Sequence, residues 1–110
     1  MGAVTSRPAP GTGTSGQEAQ EPLFRVVLLD DDDHTYDYVV EMLEKLFFMS
    51  RSKAFQHAVE VDTAGRTVVL TCERPAAEYA RDQIQAYGAD WRMPRSKGSM
   101  SAILEPETAG

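Results

Sequence analysis

Four aspartates stand side by side at positions 30 to 33, directly after the apolar run Leu23-Phe-Arg-Val-Val-Leu-Leu29. Neighbouring carboxylates repel one another, and such a cluster raises at least one pKa unless a cation lies close. The chemistry open to it is that of a cation receptor: a divalent metal, a metal beside a phosphoacceptor, or an organic ammonium. A solvated acidic turn that favours the start of a following helix through its dipole is the plain alternative. Other reactive types are sparse. Cys72 is the only cysteine, and it lies in an apolar run far in sequence from His34 and His57. It reads as strand packing rather than as a nucleophile, and a single cysteine excludes a disulfide framework or a cysteine-based zinc site. His57 reads as a surface or internally satisfied residue.

The elements around the aspartates are legible from periodicity. Leu23–Leu29 suits a buried strand. After the acidic stretch, Tyr36, Val39, Val40, Leu43, Leu46 and Phe47 recur at three- and four-residue steps, which makes a helix with one apolar face. Ser50 or Ser52 can cap a second helix with Ala54, Phe55, Ala58, Val59 and Val61 inward. Gly65 closes the connection to a second strand, Arg66–Glu73. Pro75 suits the first turn of a third helix, whose face is Ala77, Ala80, Ile84 and Tyr87 and which Gly88 ends. A polar loop from Asp90 to Gly98 carries Trp91, Arg92, Arg95 and Lys97 and reads as solvated. Ser99–Glu105 is a short last strand. Met42 and Met49 read as core or core edge. The order βααβαβ, with three strands and helices on one face, predicts an α+β two-layer sandwich with a three-stranded antiparallel sheet.

Composition sets outer bounds. The chain has 110 residues, 11 basic and 17 acidic side chains and a formal net charge of −6. That length allows one domain. The first 22 residues hold four of the eight glycines and three of the six prolines, so residues 1–22 are expected to be a disordered tail, with the domain over 23–107 and a short end at 108–110. A body that small excludes most enzymes built on a large α/β sheet. The acidic balance argues against nucleic acid or an anionic membrane as partner. No apolar run is long enough for a membrane span or a signal-peptide core, so a cytoplasmic protein is expected.

Two resemblances place the aspartates in phosphoryl chemistry. Arg25-Val-Val-Leu-Leu-Asp-Asp-Asp32 resembles the opening of a response-regulator receiver domain, which would make the Asp30–Asp33 cluster a Mg²⁺-binding phosphoacceptor site. A receiver needs five strand–helix units and an aspartate at the end of a later strand, whereas the later strands here end in Glu73 and Glu105. Asp31-x-Asp33-x-Thr35 resembles the first motif of haloacid-dehalogenase-like phosphatases, whose further motifs have no clear counterpart.

A third resemblance covers residues 23–107. Phe24-Arg-Val-Val-Leu-Leu-Asp-Asp-Asp32 through Tyr36-Asp-Tyr-Val-Val-Glu-Met-Leu43, then Ala54-x-Gln56, Val61-Asp-x-x-Gly65-Arg66, Ala77-Glu78 and Leu104-Glu105, resemble the bacterial adaptor family ClpS. The resemblance implies a non-enzymatic, cofactor-free monomer. It would bind the free α-amino group and bulky hydrophobic first side chain (Phe, Tyr, Trp, Leu) of N-degron substrates and deliver them to a ClpA- or ClpC-type AAA+ unfoldase. It implies no catalytic and no metal-binding residue.

By the same resemblance, Asp30 stands where the family has asparagine, Asp31 and Asp32 match its two aspartates, and Asp62 replaces a histidine at the end of the second helix. These four are the expected α-amino ligands. The gatekeeper, usually methionine, falls at Tyr36. The pocket walls fall at Leu28, Val39, Ala58, Val61 and Met100, and His34 takes a rim position usually held by threonine. Places that often contact the unfoldase fall at Pro75 and Ala80, with Glu78 and Arg81 close by as the expected contacts. The extra carboxylates at 30 and 62 predict tighter but more salt- and pH-dependent amine capture. Ala58, where methionine is common, predicts a deeper pocket favouring Phe, Tyr or Trp over Leu, and Tyr36 is expected to exclude Ile and Val.

Overall fold

The computed structural model describes residues 22–107. The expected tail lies outside them, Pro22 apart, as do residues 108–110. The described chain folds as β1 (Leu23–Leu29), α1 (Tyr36–Phe47), α2 (Arg51–Ala64), β2 (Arg66–Glu73), α3 (Arg74–Gln85) and β3 (Ala102–Pro106). The order and the three-plus-three architecture are those expected.

β1 is the central strand and pairs antiparallel with both neighbours. Its register with β2 runs from Leu23 opposite Glu73 to Leu29 opposite Arg66, with a slip between Val26 and Val27 that leaves Val69 as an extra residue. Such a bulge bends and twists the strand that carries it. On the other side Phe24 faces Pro106 and Leu28 faces Ala102. Val26 and Leu28 point with Val69 and Ala102 into a core shared with Met42, Leu43, Ala54, Ala58, Ala77 and Ile84.

The helix boundaries follow local capping. Thr35 caps α1, its hydroxyl accepting from the Tyr38 N–H at 3.1 Å. Ser50 rather than Ser52 caps α2, accepting from the Lys53 N–H at 3.1 Å. The link between the two helices is only three residues long, and Phe48 turns it in the left-handed region (φ 56°) with its ring 90% exposed. Gly65 (φ 84°) ends α2, a conformation that suits glycine.

Four sequence expectations give way. The last strand starts at Ala102 rather than Ser99, because Met100 turns into the core and only the Leu29 N–H to Ser101 carbonyl bond (3.0 Å) extends the pairing. α3 ends at Gln85, three residues before Gly88. Phe55 and Val59 of α2 face outward, and their place is taken by His57, which is buried with Nδ1 2.8 Å from the Thr67 hydroxyl. The loop from Asp90 is solvated only in part: Trp91 is 81% exposed and Arg95 and Lys97 face solvent, but Asp90 is 1% exposed and Arg92 is largely covered.

Candidate functional site

The site lies where the end of β1, the start of α1 and the end of α2 meet. The Asp30 N–H donates to the Gly65 carbonyl at 3.0 Å. That bond brings the first aspartate beside the last turn of α2, which carries Asp62. Between them opens a cleft of about 280 Å³, part of it open to solvent, lined by Asp30, Asp31, His34, Thr35, Tyr36, Val39, Ala58, Val61, Asp62 and Met100. Val39, Ala58, Val61 and Met100 are each at most 3% exposed and form the apolar wall.

The carboxylates differ in their surroundings. The Asp30 carboxyl is raised above the ordinary aspartate value, first by partial burial and then by the charges of Asp62, Asp31 and Asp32. Asp31 lines the cleft and its carboxylate is tied to its own loop, where Oδ1 accepts from the Asp33 N–H at 2.9 Å and meets the His34 ring at 2.8 Å. Asp62 Oδ2 accepts from the Tyr36 hydroxyl at 2.6 Å, a bond that holds the phenol above its usual pKa. The Tyr36 ring also stands edge-on to Phe55, with centroids 5.8 Å apart, so Tyr36 bridges α1 to α2 across the cleft.

Two expected members do not line the cleft. Leu28 is wholly buried: it lies on the central strand, flanked by Thr67 and Ala102, and is sealed in the core behind the wall. Asp32 is solvent-exposed, and Arg95 takes hold of its main-chain carbonyl (Nε to O, 3.1 Å) while pairing with Asp33 at 3.0 Å. His34 is not a rim residue either, for only 4% of its side chain is exposed.

The sequence reading missed the residues that support this turn. Asp90 Oδ2 accepts from both the N–H and the hydroxyl of Thr35, at 2.7 and 2.8 Å, and Oδ1 accepts from the Arg92 N–H and Nη1 at 3.0 and 3.1 Å. Burial alone would raise the Asp90 carboxyl, but those bonds outweigh it and hold the group below the usual range. Arg92 reaches on to Glu41 of α1 at 2.6 Å. Only the Thr35 cap left a local signal, a threonine directly before the first residue of a helix with one apolar face. Its partner Asp90 lies 55 residues away and leaves none.

Among the described residues, no group of three or more histidine, cysteine, aspartate or glutamate side chains is arranged to hold a metal ion. The three-stranded antiparallel sheet is also unlike the five-unit fold of a receiver, which removes the phosphoacceptor alternative. Residues 19–94 match the family model described as ATP-dependent Clp protease adaptor protein ClpS. The chain belongs to the ClpS family. A ClpS adapter protein of the ATP-dependent Clp protease from Alkalilimnicola ehrlichii is 35% identical over 89 residues, which covers 81% of this chain and 80% of that one. The structure of Agrobacterium tumefaciens ClpS2 bound to L-phenylalaninamide aligns with a TM-score of 0.63 and 26% identity, over 80% of this chain and all of that one. As a ClpS member the chain is an adaptor of the Clp protease, and no helix among its described residues is long and apolar enough to cross a membrane.

Proposed function

We propose that this adaptor captures protein substrates by their first residue. The free α-amino group would sit among Asp30, Asp31 and Asp62, and a bulky apolar side chain (Phe, Tyr, Trp or Leu) would enter the cleft against Val39, Ala58, Val61 and Met100. The observation that carries this reading is the juxtaposition itself: carboxylates at the mouth of a cleft whose wall is apolar and buried. Phenylalaninamide, the ligand of the Agrobacterium relative, has both halves of that chemistry, a free ammonium and an aromatic side chain.

The energetics require both halves. An ammonium offers three donors and a full charge, and carboxylates are its stronger, charge-assisted acceptors. Burying a large apolar side chain adds about 1.5–3 kcal/mol. Micromolar binding takes about 8 kcal/mol, which neither contribution reaches alone. Acetylation of the amine, or a branch at the β-carbon pressed against Tyr36, should therefore abolish capture. The protein performs no chemistry in this role. It hands the bound chain to a ClpA- or ClpC-type unfoldase in the cytoplasm, with the half-buried Glu78 and Arg81 of α3 as the proposed contacts; among the described residues they form surface pairs with Arg74 and Asp82.

Fluorescence anisotropy with labelled peptides that begin Phe, Leu, Val or acetyl-Phe tests the reading. Binding is expected in the order Phe, then Leu, with Val and acetyl-Phe failing, and it should weaken between 50 mM and 500 mM salt. Equal binding of Phe and acetyl-Phe peptides would refute it.

A further inference from the structure

The position after the four aspartates holds a histidine whose geometry goes beyond a pocket wall. The His34 ring is almost wholly enclosed, with 4% of the side chain exposed, and it packs on Tyr38 with centroids 4.5 Å apart. Its two nitrogens face opposite structures. Nδ1 lies 2.8 and 2.9 Å from the two oxygens of Asp31. Nε2 lies 2.7 Å from the Gly98 carbonyl, with the Ser96 hydroxyl at 3.3 Å. A carbonyl oxygen only accepts, so Nε2 donates to it, and a carboxylate facing Nδ1 requires a proton between the two.

The ring therefore links the Asp31 carboxylate, at the cleft, to the segment from Gly88 to Ser101 behind it. That segment is itself anchored. The Tyr38 hydroxyl donates to the Gly88 carbonyl, Asp90 binds Thr35, and Arg95 binds the Asp32 carbonyl. A ring clamped on both sides fixes where the Asp31 oxygens point.

We propose that His34 is a positioning residue, which orients the Asp31 carboxylate for the ligand's ammonium group and transmits that orientation from the Gly98 carbonyl. The assignment rests on the amine-receptor reading above and deepens it. A side chain with one donor and the right reach would do half of the work. The amide nitrogen of asparagine is bonded to Cγ, as Nδ1 is, and can meet Asp31. The amide nitrogen of glutamine lies one bond further, as Nε2 does, and can meet Gly98.

The test uses the full chain with His34→Ala, His34→Asn and His34→Gln, reading the Kd for a Phe-initiated peptide beside the thermal midpoint. His34→Ala should weaken binding on the order of tenfold, the loss expected when a hydrogen bond to a charged group no longer orients it. His34→Asn should recover most of that affinity, whereas His34→Gln should recover the thermal midpoint without the affinity. A purely structural histidine would make affinity follow the midpoint across all three variants, and that result would overturn the assignment, as would full affinity in His34→Ala. If the unmodified protein binds acetyl-Phe as well as Phe, the receptor reading itself fails and takes this assignment with it.

Discussion

The most informative single perturbation away from the cleft is at Asp90. Its carboxylate is buried and accepts four hydrogen bonds, two from Thr35 at the start of α1 and two from Arg92. Asp90→Ala leaves the Thr35 N–H and the Arg92 N–H without their acceptor. Breaking a buried charge pair by removing one partner costs about 3–5 kcal/mol. Arg92 keeps Glu41 at 2.6 Å, which holds the loss to the lower end, about 3 kcal/mol. A domain of this size loses about 4–8 °C of thermal midpoint per kcal/mol, so circular dichroism should record a fall of about 12 °C or more. Asp90→Asn, which keeps the volume but turns an amide nitrogen towards one pair of donors, should fall between. There is also a pH signature. The folded carboxyl is held below its ordinary value, so its contribution is present above the unfolded pKa and is lost as pH drops through the folded one. Wild type should therefore lose stability on acidification more steeply than Asp90→Asn. A midpoint change under about 4 °C for Asp90→Ala would refute the view that this residue ties the loop to the acidic turn.

Three further outcomes follow from the cleft. Ala58→Met puts a long side chain where the wall is smallest, so binding of Phe peptides by anisotropy should fall at least about tenfold, given about 0.8 kcal/mol per lost buried methylene contact; unchanged affinity would show that the side chain does not enter there. Asp30 has a raised carboxyl, so its ionised form works against folding above its folded pKa and that cost vanishes on acidification. Asp30→Asn should accordingly gain stability at pH 7 and not at pH 3, as urea melts at the two values would show. Tyr36→Phe removes the donor to Asp62 while keeping the ring. In a spectrophotometric alkaline titration of wild type against this variant, the high-pH step assigned to Tyr36 should disappear, and its persistence would place that step on another tyrosine.

The fold was readable because its signals are local. The Leu23–Leu29 run, the helical spacing from Tyr36 to Phe47, the Ser50 cap, Gly65 and Pro75 each act within a turn or two, and the elements begin and end close to where these residues stand. The misplacements share a cause. Phe55 and Val59 are apolar but face outward, while His57 is polar and faces inward, because the neighbouring Thr67 on β2 satisfies its Nδ1. A helical wheel counts apolarity and cannot register a partner from another element. The same holds for the loop: Asp90, Arg92 and Arg95 look solvated by composition, yet their partners Thr35, Glu41 and Asp33 stand some fifty or sixty residues earlier.

This long-range pairing also explains how the chain tolerates so acidic a turn. Asp31 is answered by His34, Asp33 by Arg95, and Asp90 and Glu41 by Arg92. The cations of the Asp90–Gly98 loop thus pair with the carboxylates behind the cleft, Asp33, Glu41 and Asp90, while His34 holds Asp31 at its edge. Those at its mouth are treated differently. Asp62 is met by a phenol, and Asp30 feels the charges of Asp62, Asp31 and Asp32 rather than a cation. Negative charge is compensated where it supports the turn and left uncompensated where the proposed ligand brings its ammonium. An uncharged or anionic ligand would gain nothing from that arrangement, whereas a positive chain terminus relieves the repulsion that raises Asp30. The acidic run and the structured loop thus act together: Arg95 holds one end of the run through Asp33 and the Asp32 carbonyl, and the edge at Asp30 remains free for a cation from outside.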